Sequence, residues 1–324
     1  MTPDQFISQL YRGSAQVSLA DFPNWALDLL QQVISFDGAI WGTGHNSTQE
    51  FHTQTSVDVD IEIFNRLKET ISINPIFDQL MLNSGDPIDM SDVITDQAFY
   101  KSPIYLQCFK PFGIERILSS MQLDDRSGIF TLLTLYRYDR EHKFTHHEKN
   151  IQQQLLFHLL SAFSHRQFLA LNESNNYSEQ PTLQSKQQDK FAICDSAGIY
   201  HAVESGFLDI IELHTGTQHH QKFPFELKGI DKKYSEGKLQ ISQAKLGDLY
   251  RISLRIKNKL DDLSDREKQV VAGICQGNTF KQIARNLGLS PSTVSNHLYR
   301  IYLKIGINSR SELVQLVKNN LNTL

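Results

Sequence analysis

Residues 289–302 read LSPSTVSNHLYRIY. Ser290 followed by Pro291 is a helix start, a capping hydroxyl ahead of a ring that suits the first turn. Val294, Leu298, Ile301 and, just beyond, Ile305 then recur at three-and-four spacing, so this helix turns one face to a core. The opposite face carries Ser292, Ser295, Asn296 and Tyr299, and the stretch holds a single charge, Arg300. A merely solvated face would favour Lys and Glu, which are good helix formers and well hydrated. Short hydrogen-bonding tips in their place have the length that reaches base edges in a DNA groove.

The flanking sequence is punctuated in the same way. Ser264 with Glu267, Thr279 with Gln282, and Ser309 with Glu312 each have capping-box spacing. Gly277, Gly288 and Gly306 fall where glycines stop helices in a left-handed conformation. The pattern predicts four helices of about 8 to 15 residues each. Only Gly-Leu-Ser separates the second from the third, which requires a tight helix-turn-helix corner.

This region resembles the LuxR-type DNA-binding domain. The likeness rests on Leu263, Ser264, Arg266 and Glu267, then Gly277, Ile283, Ala284 and Leu287, then Ser290, Thr293, Val294 and His297, and finally Lys304, Gly306, Arg310, Glu312 and Leu313. It implies a four-helix module whose third helix enters the major groove and whose fourth pairs with a second copy. On that basis Ser292, Ser295, Asn296 and Tyr299 are the expected base readers. Lys281, Thr293, His297, Arg300, Lys304 and Arg310 are the expected phosphate contacts, and Leu313, Leu316 and Val317 the expected dimerisation stripe. In one respect the chain departs from the family: members often carry Lys or Arg where Ser295, Asn296 and Tyr299 stand.

Charge agrees with a polyanionic partner for this end. From Lys257 onward there are ten Lys and Arg against five Asp and Glu, whereas the preceding residues hold 22 against 31, for a net charge of −4 in the 324-residue chain. A hydrophobic content of 40% is enough for real cores and argues against global disorder. Cys108, Cys194 and Cys275 are far apart and outside any CxxC pattern, which suits a reducing compartment. The start, MTPDQFISQL, lacks a basic segment followed by an apolar run, and no window approaches the length that spans a bilayer. The expected location is the cytoplasm, away from membranes.

Upstream, the sequence predicts an α+β multidomain protein. Residues 172–190, NESNNYSEQPTLQSKQQDK, hold almost nothing apolar and read as a polar linker. Before it, Thr145 and Glu148 open a helix of about 25 residues whose apolar positions spill beyond one stripe, so a partner helix from another subunit is expected. GAIWGTG and GIFTLLTLYRYD read as strands, FPNWALDLLQQVIS and DIEIFNRLKETIS as helices. After the linker, Asp195 to Gly198 turns between two strands, and Gly247-Asp248 fits a type II′ hairpin turn. FDGAIWGTG, FGIERILSS and LYRYDREHKFTHHE resemble GAF- or PAS-like sensor modules, and CDSAGIYHAVESGFLDII resembles the start of a truncated PAS-like unit. The expected division is a GAF/PAS-like α/β sensor over 1–171 ending in a long helix, the linker, a small PAS-like α/β unit over 191–257, and a LuxR-type four-helix domain over 258–324.

Chemistry beyond binding finds little support. Adjacent histidines such as His146-His147 and His219-His220 point to different sides, and no metal or other cofactor is expected. His158 and His165, seven apart, suit a hydrogen bond at a dimer seam. Cys108 lacks a local nucleophile motif, no Walker A motif occurs, and no catalytic residue is assigned. Trp41, Tyr100, Tyr105, Phe112, Arg116 and Tyr136 form a candidate ligand pocket, with Arg116 meeting an anion; the same six are equally consistent with core and rim. The sequence thus points to a sequence-specific, duplex-binding transcription regulator under sensor control. Its expected partners are double-stranded DNA, a second copy, a small-molecule effector and the transcription machinery. The alternative is a ligand-handling enzyme or interaction protein with a regulatory tail.

Overall fold

The computed structural model describes residues 1–173, 189–218, 221–227 and 232–322. Helices Pro3–Ser14 (α1) and Phe22–Gln31 (α2) lead into strands Gly38–His45 (β1) and Glu50–Val57 (β2). Short helices follow at Ile63–Glu69 (α3), Pro75–Leu82 (α4), Met90–Val93 (α5) and Asp96–Phe99 (α6), with the two-residue strand Ile88–Asp89 (β3) among them. Strands Arg116–Leu123 (β4) and Ile129–Arg137 (β5) and the helix His146–Glu173 (α7) come next. The strands form one antiparallel sheet in the order β2-β1-β5-β4-β3. Alternation along the central strands sends Ala39, Trp41, Leu118, Leu133 and Leu135 to a core built with α1, α2 and α7. Ile40, Ile117, Met121 and Tyr136 face the other way, onto a second core with Ile63, Phe64, Ile76 and Leu80.

The long helix starts where the capping box places it. Glu148 N–H donates to Thr145 Oγ1, and Glu148 Oε2 accepts from Thr145 N–H. Ile151, Leu155, Leu159, Ala162 and Phe163 are buried against the sheet, each worth roughly 1.5–3 kcal/mol for the larger side chains. Part of the second apolar surface is covered within the chain. Leu156 is buried in the same core as Phe6 and Leu10 of α1, so the chain's own N-terminal helices cover this part of the surface. His158 Nδ1 lies 3.3 Å from the Tyr11 hydroxyl of the same chain. Phe157 stays 71% exposed.

One buried cation ties this helix to the sheet. Arg137, at the end of β5, is 1% exposed. Its Nη2 donates to Glu148 Oε1 at 2.6 Å and to Ser35 O at 2.7 Å, its Nη1 donates to Lys143 O at 2.7 Å, and its guanidinium lies over the Phe144 ring at 4.1 Å. Burial pushes the Glu148 carboxyl up, but the Thr145 bonds and Arg137 more than offset it, and it sits below its ordinary range. Replacing Arg137 with Ala strands Glu148 and two carbonyls, so Arg137→Ala should cost about 3–5 kcal/mol in urea unfolding followed by Trp fluorescence, whereas Arg140→Ala, an exposed partner of Glu115, should leave the midpoint nearly unchanged.

By internal contacts the described chain divides into two units, and the division does not follow the expected boundaries. Residues 1–173, 192–204, 217–218 and 221–226 belong to the first, and 189–191, 205–216, 227 and 232–322 to the second. The segment 191–257, expected to stand as a unit of its own, is therefore shared between them. The helix α7 runs to Glu173, and most of the expected linker, 174–188, lies outside the described residues, as do His219 and His220. Strands Lys190–Cys194 (β6) and Tyr200–Val203 (β7) pair antiparallel around the expected turn, where Asp195 Oδ1 accepts from the N–H groups of Ala197 and Ile199.

The second unit contains helix Phe207–Thr215 (α8) and the antiparallel strands Lys232–Glu236 (β8), Leu239–Leu246 (β9) and Leu249–Ile256 (β10). Gly247 has φ 63° and Asp248 does not share that left-handed sign, as a type II′ turn requires. Helices Asp265–Cys275 (α9), Phe280–Leu287 (α10), Pro291–Ile305 (α11) and Arg310–Asn322 (α12) follow, with Gly277, Gly288 and Gly306 at φ 84°, 64° and 69°. They close on one core containing Val270, Ile274, Ile283, Val294, Leu298 and Ile301.

Candidate nucleic-acid interface

The corner between α10 and α11 is made locally. Thr279 caps α10 and Gln282 reaches back to its N–H, Gly288 turns the chain, and Ser290 Oγ accepts from Thr293 N–H to start α11. Close packing of the preceding helix follows from Gly273, where a Cβ would lie 2.8 Å from Ile283. With Val294, Leu298, Ile301 and Ile305 fully used in the core, α11 presents Ser292, Ser295, Asn296, Tyr299 and Arg300 to solvent.

Those side chains are not equivalent. Ser292 Oγ lies 2.7 Å from Ser290 Oγ and Thr293 Oγ1 lies 2.8 Å from it, so both hydroxyls are engaged with the cap. Ser295, Asn296 and Tyr299 make no hydrogen bond to other described residues, and Tyr299 is 65% exposed. Leu303, one turn beyond Tyr299, is 66% exposed and extends this face; the sequence reading passed over it because an apolar residue beside a core stripe reads as core.

The expected phosphate contacts also separate. Lys281 and Arg300 are exposed and without an ion pair among the described residues, and His297 is half-buried. Lys304 instead donates to Glu267 Oε2 at 2.7 Å, and Arg310 Nη2 donates to the carbonyls of Ile274 and Asn278 at 3.3 and 3.2 Å. These two hold the module together. The expected dimerisation stripe is divided as well: Leu313 and Val317 are buried in the module's own core, and only Leu316 remains partly exposed.

The candidate ligand pocket does not assemble as expected. Trp41 is on the helix-covered face of the sheet, packed on Phe163 and Phe22. Arg116 is paired with Asp96 at 2.7 Å, and its Nε donates to Arg140 O, which leaves it closed to an anion. Tyr105 donates to Glu115 and Tyr100 donates to the Glu115 carbonyl. Phe112 is packed at the edge of the second core. Of the six, Tyr136 alone lines a cavity of about 130 Å³ on the opposite face from Trp41, bounded among others by Phe51, Ile76, Leu80, Phe109, Ile117 and Phe130 and, on its polar side, by Asn46 and Gln49.

Burial shifts several titratable groups outside the module. Burial pushes the Cys108 thiol up to about 11, so it is protonated at neutral pH. The His52 and His201 rings stack with centroids 3.5 Å apart, and burial with the neighbouring His201 and His45 pushes His52 down to about 4. No group of three or more His, Cys, Asp or Glu among the described residues is arranged to hold a metal ion. None of their helices is long and apolar enough to cross a membrane.

Residues 261–317 match the family described as bacterial regulatory proteins, luxR family, and form a LuxR-type helix-turn-helix domain. The same region is 42% identical over 55 residues to the transcriptional regulatory protein UhpA of Escherichia coli, covering 17% of this chain and 28% of that protein. It is 37% identical over 65 residues to the probable transcriptional regulatory protein SgaR of Hyphomicrobium methylovorum, covering 20% and 31%. The chain thus spans under a third of the length of these relatives. Along almost the whole chain, 98% of it and 97% of the other, it superposes on SdiA of Escherichia coli with a TM-score of 0.38 and 12% identity.

Acid should loosen this module. Burial pushes the Glu267 carboxyl up, while Lys304 and the Ser264 bonds outweigh it, so its folded value lies below the ordinary one. A carboxyl held low contributes stability that is present above its unfolded value and is lost as the pH falls through the folded one. Glu267→Gln should therefore lower stability by about 1 kcal/mol at pH 7 and flatten the loss on acidification, read as helical circular dichroism of the whole chain in urea across pH 3 to 7.

Proposed function

We propose that this chain is a cytoplasmic, DNA-binding transcription regulator whose helix α11 reads duplex sequence from the major groove. The observation that carries this reading is the face of α11, where Ser295, Asn296 and Tyr299 stand exposed and unpaired beside the free cations Arg300 and Lys281. The LuxR-type match over 261–317 supports it. Ser292, Thr293 and His297 flank that face and contact sugar and phosphate through their short polar groups. Two copies bind, one per half-site, with the partly exposed Leu316 nearest the second copy. The first unit acts as a sensor that takes a small-molecule effector and sets the availability of the DNA-reading modules to the transcription machinery.

Asn296 can accept from adenine N6 and donate to N7, whereas Lys or Arg in its place would favour guanine. The half-site core therefore contains A·T pairs. Asn296→Ala should weaken binding to the best selected site by about 1–3 kcal/mol and leave random DNA little changed. Lys281→Ala and Arg300→Ala should each flatten the slope of log affinity against log salt by about one unit on every sequence. Lys304→Ala and Arg310→Ala should act through stability first. Selection of duplexes from a random pool with wild type and Asn296→Ala decides the reading: identical base preferences at all positions would remove Asn296 as a reader.

A further inference from the structure

The basic charge of this chain begins ahead of the four-helix module. Residues 232–256, the strands β8 to β10 with their turns, hold six Lys and Arg against two Asp and Glu, although the body of the chain before Lys257 is acidic. These strands share a compact unit with the helices. Lys238, Lys245 and Lys259 are exposed and have no ion pair among the described residues. The residues that match the luxR family begin at 261, so all three lie outside the matched domain.

Two of them are gathered toward the end of α11. A 3₁₀ turn, Lys259–Asp262, leads from β10 into α9, packs on α11 and buries Leu260 in the four-helix core. Asn258 Oδ1 accepts from Leu260 N–H, which fixes the backbone that carries Lys259. A Cβ at Gly306, the residue that ends α11, would stand 3.9 Å from Lys259 Nζ. Lys238, in the turn between β8 and β9, is brought beside the same connection because its carbonyl accepts from Lys257 N–H at 2.6 Å. Of the neighbouring acids, Asp261 is taken up by Arg255 and Asp262 by Lys257, and exposed Glu236 offsets part of the remaining charge.

A helix that reads bases leaves the groove at one end. With 15 residues α11 is about 22 Å long, against a major groove about 12 Å wide. Its readers Ser295, Asn296 and Tyr299 occupy the earlier part of the helix, and Gly306 lies about 10 Å beyond Tyr299. A group at that end meets the sugar-phosphate wall of the groove and not base edges. We propose that Lys259 and Lys238 form a second phosphate-contacting surface, which holds the backbone of duplex DNA flanking the bases that α11 reads. The proposal deepens the DNA-binding reading and rests on it for where the duplex lies. Each ammonium that meets a phosphate releases counterions, so the surface adds affinity without adding sequence preference. The carbonyl end of α11 also attracts a cation, but that effect acts on stability and needs no DNA.

The test titrates the full-length protein, across a salt series, with a labelled duplex that carries a selected site and its flanks and with an unrelated duplex of the same length. Lys259→Gln and Lys238→Gln should each flatten the slope of log affinity against log salt by about one unit on both duplexes, while Lys259→Arg and Lys238→Arg keep the wild-type slope. Lys245→Gln removes the same charge about 23 Å from Lys238 along β9 and should leave the slope unchanged. Trimming the flanks until the duplex ends at the site should erase the difference between wild type and the two Gln variants. An unchanged slope in either Gln variant, equal flattening by Lys245→Gln, or a difference that survives trimming would each overturn the proposal. A lowered urea midpoint with an unchanged slope would mark Lys259 as a helix-end charge and overturn it as well. Asn296→Ala, run alongside, keeps the two readings apart: a failed reader shows as base preferences that this variant does not move, and a failed second surface shows as slopes that the lysines do not move.

Discussion

The first unit depends on how a buried guanidinium is satisfied. Arg137 sits where the last long strand of the sheet ends and the long helix has not yet begun, and it is held by Ser35 O from the α2–β1 connection, Lys143 O from the β5–α7 loop, and the Glu148 carboxylate. An arginine has five donors in a fixed fork, so it accepts this arrangement only if all three segments are placed together. The loop is thereby locked, α7 starts at a set height, and its apolar side meets Leu118, Leu133 and Leu135 in register. Glu148 does double duty because the same carboxylate completes the cap with Thr145. The helix start and the end of the central strand are held as one structure.

The helix-turn-helix has a smaller counterpart in Glu267. Its carboxylate closes the cap of α9 with Ser264 and also holds Lys304 near the end of α11, so the first and third helices are joined by charge as well as by Val270, Ile274 and Ile301. Lys304 is held by that carboxylate, and Arg310 donates to two backbone carbonyls of the same module. Lys281 and Arg300 stay exposed and without an ion pair among the described residues.

What could be read from the sequence follows the range of the interactions involved. The four capped helices and their terminal glycines were legible because each cap is made by residues three or four apart, and the outward face of α11 followed from one helical period. The Gly247-Asp248 hairpin was legible for the same reason. The cavity was not. Which side of a sheet a residue faces depends on strand register, and the pairings Ile117 with Tyr136 and Trp41 with Leu133 place two aromatic residues of the expected pocket on opposite faces. Arg116 looked like an anion site because Asp96, its partner, is 20 residues away in sequence and no local pattern joins them. Leu313 and Val317 looked like a stripe awaiting a second copy, but a stripe does not say whether its own module covers it.

The segment between β10 and α9 bears on how the DNA-reading module is carried. Arg255, on β10, forms an ion pair with Asp261 at 2.6 Å, in a short 3₁₀ turn, Lys259–Asp262, that Asn258 caps. Burial pushes Asp261 up, and Arg255 outweighs it, leaving a carboxyl below its ordinary range. Leu260 of that turn is buried in the four-helix core beside Leu263. A segment that is capped, ion-paired and anchored at both ends is no flexible tether, and the strands β8 to β10 therefore share a compact unit with the helices. The turn Lys259–Asp262 thus joins β10 to the four-helix core by an ion pair at one end and by Leu260 at the other.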